Sequence, residues 1–167
     1  GLEIADLERR RSHFDAALAA LTTALTAARA LGDGALEARC HLRAAWLHAH
    51  KADYPTAADH ANTGLALARR AGDRTLVIEL TRVAAAIATS TGEPRRALAL
   101  LDAMPTPAAD QPRLIAGLAH ELGRAAIQAG DYPRAIEALE RAVAAAEVAG
   151  DLEQRARSIN NLGAACY

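Results

Sequence analysis

Apolar positions recur along the chain at helical spacing. Leu18, Leu21, Leu25 and Ala28 fall three and four residues apart, which is the period of one face of an α-helix. Turn residues interrupt such runs at regular intervals. Between them the pattern predicts helices over 3–11, 14–30, 35–51, 55–71, 75–90, 94–103, 112–129, 132–149 and 152–167. Gly32-Asp33-Gly34 closes the second of these: glycine suits the residue after a helix, and aspartate caps the next. Pro55 stands in the first turn of a predicted helix, where its missing N–H would have no partner. Segment 75–90 is rich in Leu, Val and Ile. The β-branched residues lower helix propensity slightly, but period and context still favour helix. Segment 104–112, which opens Met104-Pro105-Thr106-Pro107, is expected to be the one irregular linker.

One stretch repeats. Gly130-Asp131-Tyr132-Pro133-Arg134-Ala135-Ile136 has an earlier copy in Ala52-Asp53-Tyr54-Pro55-Thr56-Ala57-Ala58. Gly92-Glu93-Pro94-Arg95-Arg96-Ala97-Leu98 is looser, and Ser12-His13-Phe14-Asp15-Ala16-Ala17-Leu18 is the weakest. The internal alanines, Ala17, Ala57, Ala97 and Ala135, are spaced 40, 40 and 38 apart. A second register of small residues, Ala5, Ala45, Ala85, Gly123 and Gly163, is spaced 40, 40, 38 and 40. Where helices cross closely, a β-carbon or nothing is all that fits. A fixed period of this size marks a solenoid. The expected fold is therefore all-α: an α-solenoid of antiparallel helix pairs, about nine helices in a single array over 1–167. Its repeats fall near 1–31, 32–71, 72–109, 110–149 and 150–167. The incomplete first and last repeats lead us to expect a piece of a larger protein. Helix ends without a polar cap are expected to self-associate.

Two helices per repeat, a small residue in the first, and a Gly-Asp-Tyr turn leading to an alanine in the second resemble the tetratricopeptide repeat (TPR) family. Leu122-Gly123 and Asn160-Asn161-Leu162-Gly163-Ala164-Ala165 match its pattern most closely. The resemblance covers essentially the whole chain. It departs from the family in period, which is about 34 in most TPRs and mostly 40 here. The proline usual near the end of the second helix is also missing at 69 and 147. The longer period is similar to that of kinesin light chain arrays and of large bacterial regulators. The resemblance implies a right-handed superhelix whose concave face, lined by the first helix of each pair, binds a partner.

Composition narrows the function. Apolar residues make up 51% of the chain but aromatics only 3%, so thin interfaces between close helices are expected in place of one large core. The net charge of -1, with no long run of one sign, argues against the basic stripe of a nucleic-acid binder. No run of about 18 apolar residues is read, so no membrane span is expected. With no signal peptide and with Cys40 and Cys166 three repeats apart, a reducing cytoplasm is the expected setting.

On the TPR pattern the concave lining is Arg39, Leu42, Trp46 and His50, then Glu79, Arg82, Ala86 and Thr89. It continues with His120, Arg124 and Gln128, and ends with Arg157, Asn160 and Ala164. Arg39, Arg82, Arg124 and Arg157 face one Glu79, which makes a locally basic groove suited to an acidic or extended peptide, because arginine forks pair carboxylates. Asn160 resembles the asparagines with which TPR clamps hold a peptide backbone. The plainer reading makes these arginines solvated surface residues with local partners. Trp46 is either a binding hot spot or core.

No metal site or cofactor is expected. His48 and His50 point to different faces, His41 and His48 lie two turns apart, and neither Cys-x-x-Cys nor His-Glu-x-x-His occurs. Cys40-His41 is not a catalytic pairing by itself, and neither a Gly-rich phosphate loop nor a nucleophile elbow is present. The expectation is no enzyme but a protein–protein interaction module, the sensor or scaffold arm of a larger bacterial signalling or regulatory protein. Two other readings stand: a sensor of a small ligand or signal peptide around Trp46, Leu42 and Ile127, or the substrate-recognition arm of a caspase-like peptidase.

Overall fold

Aspartate and glycine set most of the helix ends. A computed structural model describes residues 2–166, with side chains from residue 13 onward. These residues form eight α-helices and no strand. The helices are α1 (Leu2–Leu31), α2 (Gly34–His50), α3 (Tyr54–Ala71), α4 (Arg74–Ser90), α5 (Pro94–Asp102), α6 (Pro112–Ala129), α7 (Tyr132–Val148) and α8 (Leu152–Ala165). Neighbours in sequence pack together, α1 on α2, α2 on α3, α5 on α6, α6 on α7 and α7 on α8, which is the packing of a helical repeat solenoid.

The count is eight and not nine because the first two expected helices are one. α1 runs through Ser12-His13-Phe14-Asp15 without a break. The weakest copy of the turn contains neither glycine nor proline, so nothing there stops a helix. Elsewhere the ends fall within a residue or two of expectation, and residues 103–111 lie outside any helix.

The turns share one construction. Asp33, Asp53, Asp73, Asp131 and Asp151 each accept the backbone N–H three residues on, at 2.9–3.4 Å. Each satisfies a donor that the helix start would leave unpaired. Their own N–H groups bond back to the preceding helix, to Ala28, His48, Ala68, Ala126 and Ala146. The residue before each aspartate is left-handed: glycine at 32, 72, 130 and 150, and Ala52 at φ 59°.

Two compact units divide the chain, Gly1–Val77 and Ile78–Tyr167, with the boundary inside α4. The core of the first is mostly alanine: Ala28, Ala38, Ala45, Ala57, Ala61 and Ala68 are buried, with Leu42 and Leu76. In the second, Ile78, Ala85, Ala88, Ala97, Leu101, Leu118 and Ala125 form one cluster, and Ala126, Ala135, Leu139 and Ala165 form another. Most of the small-residue positions are placed as expected, but Ala17 is only half-buried and Gly163 is exposed with nothing within 4 Å of a β-carbon built there. Ala45, Ala85, Ala57, Ala97 and Ala135 are fully buried, and Gly123 faces Leu139 across the α6–α7 contact. Ala5 lies outside the described side chains.

One segment departs from the expectation that no stretch is apolar enough to cross a membrane. By length and composition alone His13–Leu31 passes, with a mean hydropathy of 1.2. Alanine and leucine supply that value. The segment also carries Asp15, 3.9 Å from Lys51, and Arg29, 2.8 Å from Glu37, so α1 is tied to α2 by charges.

Candidate ligand-binding site

In the second unit, three helices bring their charges to one place. α4 contributes Glu79 and Arg82, α6 His120, Glu121 and Arg124, and α8 Arg157 and Ser158. The middle of α6 exposes little on this side: Ala116, Gly117, Ala119, His120 and Glu121 are all buried. Gly117 makes room for Arg82. A β-carbon built there would lie 3.3 Å from Arg82 Nη1 and 3.4 Å from Cζ, so the guanidinium packs against α6 at this position.

Glu121 is 3% exposed, and its Oε2 accepts a hydrogen bond from Arg124 Nη1 at 3.0 Å, one turn along α6. Burial pushes its carboxyl above the ordinary range, against the pull of Arg124, Arg82 and Arg157. Burial pulls Arg82 down, opposed by Glu121 and Glu79. Arg157 is exposed and makes no ion pair among the described residues.

His120 is 2% exposed and does not line an open face as expected. Its ring reaches the fully buried Ser158 across the α6–α8 contact, Nδ1 to Oγ 3.1 Å. The Ser158 hydroxyl also meets the Gln154 carbonyl at 2.9 Å and accepts from the Gln154 side-chain amide at 3.2 Å. Burial, together with Arg157, Arg124 and Arg82, holds the imidazole down at about 4. The pair ties α6 to α8. Thr89 and Ala86 also leave the expected lining. Both are buried, and the Thr89 hydroxyl donates to the Ala85 carbonyl at 2.9 Å. Asn160 and Ala164 are exposed on α8, and Gln128 is exposed at the end of α6.

The expected residues of the first unit form a stripe on α2. Arg39 is exposed, 3.6 Å from the Asp73 carboxylate. Leu42 is buried. Trp46 is half-buried with the His50 ring 5.9 Å away, and His50 Nδ1 meets the Trp46 carbonyl at 2.6 Å.

The same unit holds a histidine group whose spacing gave no sign of it. His60 of α3 stands between His41 and His48 of α2. Its Nδ1 lies 2.9 Å from His41 Nδ1, and its ring stacks on His48 at 5.5 Å. His48 Nδ1 is 2.9 Å from Asp53, and Glu37 lies 3.9 Å from His41 Nε2. Burial pulls both His41 and His60 below the usual imidazole range, His60 lowering His41 further and His48 lowering His60. Among the described residues no group of three His, Cys, Asp or Glu side chains is arranged to hold a metal ion.

A cavity of about 250 Å³ lies under the 103–111 segment, lined by Leu101, Met104, Ile115, Leu118 and Leu122 with Asp102 and Arg141. It falls short of the roughly 300–1,000 Å³ usual for small-ligand pockets.

No protein-family model matches the chain, and no curated protein matches it.

Proposed function

We propose that this chain is a non-catalytic, TPR-like interaction module that binds an acidic peptide segment on the face formed by α4, α6 and α8. The observation that carries this reading is the surplus of cations: Arg82, Arg124 and Arg157 act on a single buried carboxylate, Glu121, with Glu79 acting on Arg82. In a chain of net charge -1 such a surplus is local. Guanidinium groups offer planar forks that match carboxylates, and Arg157 makes no ion pair among the described residues. Aspartate or glutamate side chains on an extended segment are the fitting ligands, and a cytoplasmic signalling partner, or another segment of a larger bacterial regulator, is the setting we propose.

The test is affinity for a short poly-aspartate peptide, with charge reversal at Arg124 and Arg157. A charge-assisted hydrogen bond contributes about 1.5–3 kcal/mol, so losing two weakens binding by about a hundredfold or more. Binding that survives both reversals unchanged removes the reading.

A further inference from the structure

Glu121 is the same chemical group as the ligand proposed for this site. It is buried at 3% exposure, bonded to Arg124 at 3.0 Å, and within the field of Arg82 and Arg157. An intramolecular group is present at an effective concentration that a free ligand in solution does not reach. A carboxylate arriving at Arg124 therefore meets an arginine already engaged. A buried carboxylate stripped of its partner is costly, so an entering ligand raises the free energy of Glu121 as it draws on the same guanidinium groups.

Resting on the reading above, we propose that Glu121 is a built-in competitor for the arginine site. An acidic ligand must take Arg124 over from Glu121, and the site's affinity is set by the exchange of one carboxylate for another. The device selects for ligands with several carboxylates in succession, since one carboxylate at Arg124 only replaces what is already there, and a gain needs a second one on Arg157. It also couples binding to a proton. As the ligand takes charge from the arginines, Glu121 loses the groups that favour its ionised form and gains a proton. The charged groups acting on Glu121 are Arg124 of its own helix, Arg82 of α4 and Arg157 of α8, and Glu79 of α4 acts in turn on Arg82. His120, held at about 4, stays neutral near neutral pH and does not supply the proton.

Poly-aspartate binding to the wild type, Glu121→Gln and Arg157→Gln separates the two ideas. Glutamine keeps the shape and an acceptor for Arg124 but drops the charge. We expect Glu121→Gln to bind about tenfold tighter or better, the size of one weak ion pair, and Arg157→Gln to bind more weakly. If Arg157→Gln weakens binding while Glu121→Gln does not strengthen it, the competitor is overturned and the acidic-peptide site stands. If neither substitution changes affinity, both are overturned. A measurement on the wild type guards against a variant that does not fold. With the glutamate carboxyl carbons labelled, poly-aspartate should move the Glu121 titration to higher pH. An unmoved titration under saturating peptide contradicts the exchange.

Discussion

Leu139 of α7 occupies the space that a β-carbon on Gly123 of α6 would need. Such an atom would lie 2.4 Å from Leu139 Cγ and 2.7 Å from Cδ2. Leu139 is fully buried and has no room to move away. Gly123→Ala should therefore destabilise the fold by about 1–3 kcal/mol, the usual range for overpacking. Gly163 holds the corresponding place in α8 and meets nothing within 4 Å. Gly163→Ala should stabilise by up to about 1 kcal/mol, because glycine is a poor helix former. Denaturant unfolding of the two variants checks the opposite signs.

Ala52 is the only non-glycine with positive φ among the described residues, at 59°, in a turn where its counterparts are glycines 32, 72, 92, 130 and 150. The left-handed region crowds a β-carbon at a cost of about 1–2 kcal/mol, part of which glycine gives back through the unfolded chain. Ala52→Gly should stabilise the protein by about 0.5–1 kcal/mol, and Gly72→Ala should destabilise it by a similar amount. Thermal unfolding of the pair tests this.

Acid should weaken the fold through His120. Its folded value of about 4 lies below the ordinary 6.5, so the unfolded chain binds more protons between those limits. Stability from this residue is full above pH 6.5, falls as pH drops, and levels off below about 4, with roughly 3 kcal/mol lost by then. His41 and His60, also lowered, act in the same direction. Glu121 acts in the opposite one: its raised carboxyl binds its proton more readily in the folded state, so its cost shrinks as pH falls. The comparison must therefore be by variant. His120→Gln should show a flatter fall in melting temperature between neutral pH and pH 4 than the wild type. An identical slope would show that His120 is not the group that titrates.

The helix ends were legible because glycine and aspartate do a fixed job there. Asp33, Asp73 and Asp151 recur in register and cap as their spacing implied. The small registers were legible for a similar reason, since close crossings admit only alanine or glycine. The first turn was misread because Ser12-His13 sits in repeat register but carries no residue that ends a helix. At the site, Arg82, Arg124 and Arg157 were legible as an in-register stripe, and the structure brings them around one carboxylate. Glu121 was not singled out, although its position three residues before Arg124 is an ion-pair spacing visible in any helix. Ser158 and His60 gave no signal at all: each acts through a residue on another helix, and a single sequence does not pair them. His120 was placed on the surface because helical phase assigns a face but not the depth to which a neighbour covers it.

The central claim is that an acidic segment lands on α4, α6 and α8. The side-chain Nε–H signals of the arginines, followed by NMR during titration with poly-aspartate, report this directly. Arg82, Arg124 and Arg157 should shift together and saturate at one peptide concentration, while Arg113 and Arg141, elsewhere on the same unit, stay still. Uniform small shifts over all arginines, fading with added salt, would contradict the claim and leave the cluster as solvated surface charge.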